Sequence, residues 1–431
     1  MALNALNRGL AAPPATPRRT IAILAPRASC FAKVAGVPLT QRAVLSALRA
    51  AFDRVVVLAD TERERMRTLI AGDPRASAAG VEVRDRIELD ADVELTVVAA
   101  DVLVTPATLR RAATAPSGRP TIVCVDGRPA LAHCHGRDLL SPARHGHDRN
   151  PTATLGVRDE VAAFTAVRRA AAEQAMPADA LCMHIANPRT AAAAEAALCA
   201  QLRSASAAND GVLARWIDRR ISCRLSRWIV RYTTLRPNHV TLIGTAIGLA
   251  GAVFLARGTY ATGVLGTLLF LAAAIVDGCD GEVARLTFRE STFGQKLDVT
   301  TDNVVHLAIF IGLAVGLHRR APDAHVGALA ALLLGGFALD GALSYYFLVV
   351  RTEWRASSDA APSLRGRLRQ RTLNGLEALM NRDFAYLLVP LAIADRLHWF
   401  LWGAAIGSFA FAALFVVLYR AGSPAGYAVA G

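Results

Sequence analysis

The chain has 431 residues, of which 53% are hydrophobic, and its 48 Lys and Arg exceed its 35 Asp and Glu to give a formal net charge of +13. This length allows two or three domains, and the apolar fraction is too high for a wholly soluble protein. The positive charge is not interleaved with aromatic residues, which argues against nucleic-acid binding. Seven cysteines without a C-x-x-C pair or regular spacing suggest neither a disulfide framework nor a zinc ribbon.

The first half of the chain has the pattern of an α/β domain. A basic, Pro-rich segment at residues 1–19 predicts a disordered tail, with no apolar run that would form a signal peptide. Short apolar runs then alternate with helical patterns at residues 39–51 and 105–113. The runs predict buried strands of a largely parallel sheet in a cytoplasmic domain at residues 20–205: Ile21–Ala25, Val55–Ala59, Thr96–Ala100 and Thr121–Val125.

The composition changes near residue 210. Residues 210–236 carry arginines interleaved with Trp216, Ile217, Ile221, Leu225, Trp228 and Ile229 at helical spacing. This pattern predicts an amphipathic helix on an anionic membrane surface, although a soluble domain can also carry such a surface helix. Apolar segments follow this helix directly, and they favour its interpretation as a helix on the membrane surface.

Six apolar segments after residue 236 predict an all-α polytopic membrane domain at residues 237–421, followed by a tail at 422–431. The segments are residues 240–256, 261–282, 294–317, 326–350, 384–398 and 399–420. Arginines precede the first segment and fill the loop 351–383, so the positive-inside rule places the N-terminal domain and the C-terminus on the cytoplasmic side. The expected location is the cell inner or plasma membrane. Arg319 and Arg320 fall on the outer side and count against this orientation.

Four aspartates lie at the ends of the second and third apolar segments. Asp277 and Asp280 are three residues apart, and Asp298 and Asp302 are four apart, so each pair shares one face of a helix. Both pairs lie at the cytoplasmic ends of their helices, and antiparallel neighbours would bring all four carboxylates together. Burying an ionisable side chain within a membrane span costs free energy, and such residues are usually functional.

Oxygen ligands of this kind suit Mg²⁺ or Mn²⁺, and four carboxylates suit a two-metal site for phosphoryl chemistry. Small residues on the same helices, Gly281, Ala284 and Gly294, allow close approach of a ligand, or simply of a neighbouring helix. Arg285 follows by one turn and can pair with a phosphate. A cation transporter is the alternative for the acidic residues alone.

Residues 280–302 contain the pattern D-G-x2-A-R-x8-G-x3-D-x3-D, and Asp277 precedes it by three residues. This stretch resembles the signature of the CDP-alcohol phosphotransferases (CDP-alcohol phosphatidyltransferases). Pro237-Asn238-His239-Val240-Thr241 resembles the P-N-x-x-T start of that family's first span, and residues 382–384, R-D-F, resemble an element before its fifth. The resemblance covers about residues 210–421.

The resemblance implies a role for each matching residue. Asp277, Asp280, Asp298 and Asp302 would bind metal, with Asp302 also the general base. Gly281, Ala284, Arg285, Gly294, Asn238 and Thr241 would bind the CDP group. An alcohol would attack the β-phosphorus of a CDP-linked donor and release CMP, within a homodimer in the membrane lipid. We expect a phospholipid product, and Arg382 is a candidate for holding a phosphorylated acceptor.

Residues 20–200 resemble, more weakly, the sugar-type nucleotidyltransferases, in particular the inositol-phosphate cytidylyltransferases, which have a Rossmann-type sheet. Lys33, the segment 36–39 and Asp101 match that family. However, the Gly-rich phosphate loop is replaced by PRASCFAK, and Ala186 stands where the second metal aspartate is expected. We therefore expect a domain that no longer makes a CDP-alcohol, with a bifunctional enzyme as the alternative.

A cluster of potential metal ligands lies in a basic stretch of this domain, and its spacing matches no standard site. We interpret the cluster as a solvated loop: His133, Cys134, His135, His145 and His147.

Overall fold

The computed structural model divides the chain into two compact units, Met1–Leu198 and Cys199–Gly431. The structure describes residues 19–25, 28–99, 101–114, 120–139, 152–157, 164–165, 167–168, 172–173, 180–206, 219–322, 324–345 and 384–420.

The N-terminal unit is built on strands that are mostly short and, in the centre, buried on both faces. The strands in chain order are β1 Thr20–Ala25, β2 Lys33–Val34, β3 Val37–Pro38, β4 Arg54–Ala59, β5 Glu82–Arg84, β6 Arg86–Asp90, β7 Glu94–Val98, β8 Val102–Val104, β9 Thr121–Val125, β10 Arg128–His135, β11 Thr152–Gly156, β12 Ala172–Glu173 and β13 Cys182–His184. The helices are α1 Leu39–Arg49, α2 Arg63–Ala71, α3 Pro74–Ala78 and α4 Pro106–Ala113. Helix α5, Pro188–Ser206, begins in this unit and continues past its last residue, Leu198.

Seven of these strands form one sheet in the order β12-β9-β10-β7-β1-β4-β5. Its centre is parallel: Ile21 of β1 is opposite Val55 of β4 on one side and Thr96 of β7 on the other. Strand β10 runs antiparallel to both β7 and β9. The predicted α/β class with a largely parallel sheet is therefore confirmed, and the continuous apolar runs reflect burial of both sheet faces.

The C-terminal unit is helical. Its helices are α6 Arg219–Tyr232, α7 Pro237–Ala256, α8 Tyr260–Leu286, α9 Thr292–Arg320, α10 Ala324–Tyr345, α11 Phe384–Ile393 and α12 Leu397–Arg420. Helix α7 begins at Pro237, where the missing backbone N–H costs nothing. Thr259 caps α8 and Ser291 caps α9, each by accepting a backbone N–H of the first turn.

Three helices in the described part of the chain are long and apolar enough to cross a membrane: α7, α8 and α9. The apolar part of α10, His325–Leu339, and helix α11 are shorter than a full span. The structure thus supports a membrane region with three candidate spans, whereas the predicted count of six is not confirmed. The loop 351–383 and the tails at 1–18 and 421–431 lie outside the described residues.

Helices α7, α8 and α9 pack at backbone distance through glycine. A Cβ added at Gly251 of α7 would lie 2.9 Å from the carbonyl oxygen of Gly266 in α8. A Cβ at Gly316 of α9 would lie 2.1 Å from the carbonyl oxygen of Leu255 in α7. Two helix backbones can approach this closely only where the residue at the contact is glycine. It places the start of α7 beside the end of α8 and the start of α9.

Candidate metal centre

Helix α8 carries Asp277 and Asp280 in its last three turns. From Tyr260 to Asp277 the helix rises ~26 Å, so both carboxylates lie at the far end of the apolar segment. Helix α9 begins a few residues later, and Asp298 lies in its second turn. The short connection between α8 and α9 returns the chain to the same end, as the sequence predicts.

Three carboxylates meet at this end. Asp277, Asp280 and Asp298 each present an oxygen atom, and these atoms all lie within 4.8 Å of one another. Asp280 is only 7% exposed. The remaining predicted ligand, Asp302, is half-buried one turn further along α9 and is not a member of this group of three. We call Asp277, Asp280 and Asp298 the aspartate triad.

The triad has the chemistry of a divalent-cation site. Three negative charges this close repel one another, and a cation between them removes the repulsion. Oxygens on opposite sides of an octahedral Mg²⁺ lie ~4.2 Å apart, so the spacing of the triad is within a small side-chain movement of coordination. All donors are hard oxygen atoms, which Mg²⁺ and Mn²⁺ prefer. The residues present therefore fit such an ion.

Asp280 is fixed by two hydrogen bonds. The hydroxyl of Thr241, on α7, donates to Oδ2, and the backbone N–H of Gly281 donates to Oδ1. Oγ1 of Thr241 also lies 3.3 Å from the carbonyl oxygen of Pro237, at the start of its own helix. The threonine of the P-N-x-x-T segment thus orients the most deeply buried member of the triad, because the start of α7 lies against this part of α8.

Asn238 and Gly294 adjoin one another near the triad. A Cβ added at Gly294 would lie 3.2 Å from Oδ1 of Asn238 and 3.1 Å from Oγ of Ser291. Ser291 Oγ accepts the N–H of Gly294 at 3.0 Å, which holds the first turn of α9. The amide side chain of Asn238 therefore reaches the backbone of α9 at a point where any larger residue would displace it.

Arg285 folds back along α8 over Gly281. A Cβ at Gly281 would lie 3.4 Å from a terminal guanidinium nitrogen of Arg285. Arg285 is exposed, and its charge lies one turn from Asp280, where it can reach an anion at the site. Ala284 is half-buried on the same turn of helix. The predicted acceptor residue Arg382 lies outside the described residues.

Other functional candidates were not predicted from the sequence. Glu282 is buried and accepts hydrogen bonds from Ser222 and Ser226 of α6, each at 2.8 Å. His306, one turn beyond Asp302, packs its ring against Phe270 and Phe384, at centroid distances of 5.9 and 5.3 Å. The signal for Glu282 in the sequence is an additional acidic residue at a variable position of the signature, near the end of a mostly apolar helix.

In the N-terminal unit, the expected metal ligand Asp101 is held by two cationic or polar side chains. Arg128 donates to Oδ2 at 3.2 Å, and Nδ1 of His184 lies 3.2 Å from Oδ1. Burial acts to raise the pKa of Asp101, but the hydrogen bond with His184 and the charges of His184 and Arg128 outweigh it and lower that pKa. Asp101 is therefore an ionised carboxylate that already has a protein partner for each oxygen.

The segment at residues 186–188 serves as a helix start. Asn187 Oδ1 accepts the N–H of Thr190 at 2.9 Å, and Thr190 Oγ1 accepts the N–H groups of Ala186 and Asn187, each at 3.0 Å. Pro188 follows as the first residue of α5. Ala186 is exposed and offers no ligand atom, as its sequence position indicates.

The histidines and cysteine at residues 133–135 are part of strand β10 and not of a solvated loop. His133 is buried and its Nδ1 lies 3.0 Å from Oγ1 of Thr96, and burial lowers its pKa. Burial also raises the pKa of Cys134 to about 12. Among the described residues these side chains do not form a group that could hold a metal. The prediction of a loop was wrong here because alternating small apolar residues form the strand, and His145 and His147 lie outside the described residues.

Parts of the chain are similar to known proteins. Residues 234–359 match the family described as CDP-alcohol phosphatidyltransferase. A bifunctional IPC transferase and DIPP synthase of Rubrobacter xylanophilus is 38% identical over 159 residues, which are 37% of this chain and 33% of that protein. A phosphatidylinositol phosphate synthase of Streptomyces avermitilis is 44% identical over 80 residues, which are 18% of this chain and 32% of that protein.

Among solved structures, the phosphatidylinositol phosphate synthase of Mycobacterium tuberculosis with CDP-DAG bound is similar, with a TM-score of 0.32 and 21% identity. The similarity covers 49% of this chain and 100% of that one. The chain spans about a third of the length of the first two curated relatives it matches, 33% and 35%. The matched residues 234–359 lie in the C-terminal unit, whose described part includes three helices long and apolar enough to cross a membrane, which supports a membrane protein.

Proposed function

We propose that this chain, through its CDP-alcohol phosphatidyltransferase domain, transfers a phosphoalcohol group from a CDP-linked donor to an alcohol and releases CMP. The observation that supports this most strongly is the aspartate triad at one end of α8 and α9, with Asp280 bonded to Thr241 of α7. The transferred group is a phosphatidyl group, and the product is a phospholipid. A cation transporter would need the carboxylates but not the arginine and glycine positions that surround them.

In this proposal the triad, with Asp302 as a further ligand, would hold Mg²⁺ or Mn²⁺, with two metal ions at the site. Bound metal would supply positive charge to the diphosphate of the donor. Thr241 and the N–H of Gly281 orient Asp280, and Arg285 pairs with a phosphate oxygen. Gly281, Ala284, Gly294 and Asn238 line the position of the CDP group, where the absence of larger side chains admits it.

Asp302 acts as the general base. It lies one turn after Asp298 on the same face of α9 and is half-buried, which supports this role, and it is not one of the three gathered carboxylates. The acceptor hydroxyl gives its proton to Asp302 as its oxygen bonds to the β-phosphorus of the donor. The bond from that phosphorus to the bridging oxygen breaks, and CMP leaves with the electron pair.

We propose CDP-diacylglycerol as donor and a phosphorylated inositol as acceptor. The relatives named phosphatidylinositol phosphate synthase and archaetidylinositol phosphate synthase support this choice. The arginine-rich segment 351–383, with Arg382, would bind the acceptor phosphate. We also propose that α10, α11 and α12 complete six spans, that both termini face the cytoplasm, and that the enzyme is a homodimer.

The test is CMP release by the purified full chain in detergent. CDP-diacylglycerol is offered with inositol phosphate, glycerol phosphate or free inositol, and with Mg²⁺, Mn²⁺ or excess EDTA. We expect release with inositol phosphate that falls at least about a hundredfold in EDTA and returns when Mn²⁺ or Mg²⁺ is restored. Asp302→Asn should lower release in the presence of metal by at least about a hundredfold, since it cannot accept the proton. Metal-independent release, or none with any acceptor, would contradict the proposal.

For the N-terminal domain we propose that cytidylyl transfer has been lost. The relatives named bifunctional favour the alternative, an enzyme that makes its own donor. Against that alternative stand Ala186, which has no carboxylate, and Asp101, whose oxygens are bonded to Arg128 and His184. We expect the full chain with CTP, inositol phosphate and Mg²⁺ to form no pyrophosphate above a heat-inactivated control. Pyrophosphate release that depends on inositol phosphate would establish the bifunctional enzyme instead.

A further inference from the structure

Glu282 is a buried acid on the metal-site helix that the proposed reaction does not use. It is 1% exposed, less than Asp280 itself. It follows Asp280 by two residues, so its side chain leaves α8 ~200° around the helix axis from the triad. A carboxylate buried to this degree is stable only when protein groups satisfy it.

Helix α6 provides these groups. Ser222 Oγ donates to Oε1 of Glu282 and Ser226 Oγ donates to Oε2, each at 2.8 Å. The thiol of Cys223 lies 3.5 Å from Oε1. The two serines are four residues apart and both fully buried, so one face of α6 is matched to the two oxygens of one carboxylate.

The same turn of α8 makes further contacts with α6. Ser226 Oγ also lies 3.4 Å from the carbonyl oxygen of Cys279, and the thiol of Cys279 is 3.7 Å from the carbonyl oxygen of Ser222. These side chains are small, so the helices approach closely. The contacts fix the rotation of α6 and its register along α8 at residues 279–282, which is the turn that carries Asp280.

The opposite face of α6 is exposed and amphipathic. It carries the apolar side chains of Ile221, Trp228 and Tyr232, at 44%, 54% and 67% exposure. Arg220, Arg224 and Arg231 are exposed beside them. This combination fits the headgroup region of an anionic bilayer, as predicted from the sequence. Helix α6 therefore has one face for the membrane surface and one for Glu282.

The turn at 279–282 is held from two sides. Helix α7 holds Asp280 through Thr241, and helix α6 holds Glu282 through two serines. We infer that Glu282 is a positioning residue, which anchors the membrane-surface helix α6 to α8 and thereby fixes Asp280 in the aspartate triad. The positional role rests on the proposed function only for its effect on catalysis, since the hydrogen bonds and the triad stand without it.

The experiment compares Glu282→Ala, Glu282→Gln and the double variant Ser222→Ala/Ser226→Ala in the full chain. Glutamine keeps the shape of the side chain and can hydrogen-bond both serines, whereas the other two variants remove the hydrogen bonds. Thr267→Ala is the control. It removes a fully buried hydroxyl of the same helix ~20 Å before Asp280. Readouts are the Kd for Mn²⁺, peptide-mapped maleimide labelling of Cys223 and Cys279, and kcat and KM for CMP release.

We expect Glu282→Ala and the double serine variant to raise the Mn²⁺ Kd at least about tenfold, to expose both thiols to maleimide, and to lower kcat more than KM changes. Glu282→Gln should retain most of the Mn²⁺ affinity and thiol protection, as should Thr267→Ala. If Glu282→Ala does not fold, the comparison of Glu282→Gln with the double serine variant still tests whether the hydrogen bonds between Glu282 and the serines position the triad.

Two results would overturn the positional role. One is a wild-type Mn²⁺ affinity in the double serine variant, and the other is a loss of Mn²⁺ affinity in Glu282→Gln as large as that in Glu282→Ala. Metal affinity and thiol protection do not depend on the donor or acceptor. A wild-type protein that binds Mn²⁺ but releases no CMP would therefore contradict the proposed function. The role of Glu282 would then be decided by the Mn²⁺ Kd and the thiol labelling alone.

Discussion

Replacing Asp280 by Asn is expected to lower kcat/KM for CMP release by at least about a thousandfold, a loss of ~4 kcal/mol of transition-state stabilisation. Asparagine keeps the size of the side chain and can still accept the hydrogen bond from Thr241. It removes the negative charge that a divalent cation requires at the most buried position of the triad. Asp277→Asn and Asp298→Asn should have effects of the same order.

Asp395→Asn is the matched control. Asp395 forms an ion pair with Arg320 at the last residue of α9. A helix rises ~33 Å between residues 298 and 320, so this acid is far from the triad. We expect its substitution to change kcat/KM less than about threefold, because an exposed ion pair contributes little. Equal losses in Asp395→Asn and Asp280→Asn would mean that activity reports stability and not metal binding.

The second large effect is expected at the contact between α7 and α9. A Cβ at Gly312 would lie 2.4 Å from the carbonyl oxygen of Ala252, and one at Gly316 would lie 2.1 Å from that of Leu255. Ordinary contact needs at least ~3.4 Å, so Gly312→Ala/Gly316→Ala must force the two helices apart by about 1 Å. Overpacking of this kind costs about 1–3 kcal/mol per site.

For a unit of this size, a loss of about 3 kcal/mol corresponds to a fall of roughly 6–12 °C in the thermal unfolding midpoint. The midpoint is measured in detergent by the fluorescence of the tryptophans. Gly327→Ala in α10 is the control, since a Cβ there meets no atom within 4 Å. The packing of α7 against α9 would be refuted if the double variant unfolded at the same temperature as Gly327→Ala.

Much of the architecture followed from the sequence because its signals were local. The apolar runs at Ile21–Ala25 and Val55–Ala59 correspond to strands β1 and β4, since a central parallel strand is buried on both faces. Pro237 marked the start of α7. The spacing of Asp277, Asp280 and Asp298 predicted their meeting, because a short connection must return α9 to the end of α8.

The remaining features depend on contacts between distant segments. Asp302 shares a face with Asp298, but it lies one turn further along α9 and is not one of the three gathered carboxylates. The partners of Glu282 lie about 60 residues earlier, in helix α6, whose arginines and Trp228 indicate only the exposed face of that helix. Likewise, nothing near Asp101 in the chain indicates that Arg128 and His184 would bond to it. Pattern reading along the chain does not identify such pairs.

The most direct test of the account is Mn²⁺ binding by the purified full chain, measured by electron paramagnetic resonance without donor or acceptor. We predict saturable binding by the wild-type protein and by Asp395→Asn. Asp280→Asn should bind at least about a hundredfold more weakly, because one of the three charged ligands is lost. Equal Mn²⁺ affinity in Asp280→Asn and the wild type would contradict the claim that Asp277, Asp280 and Asp298 form a metal centre.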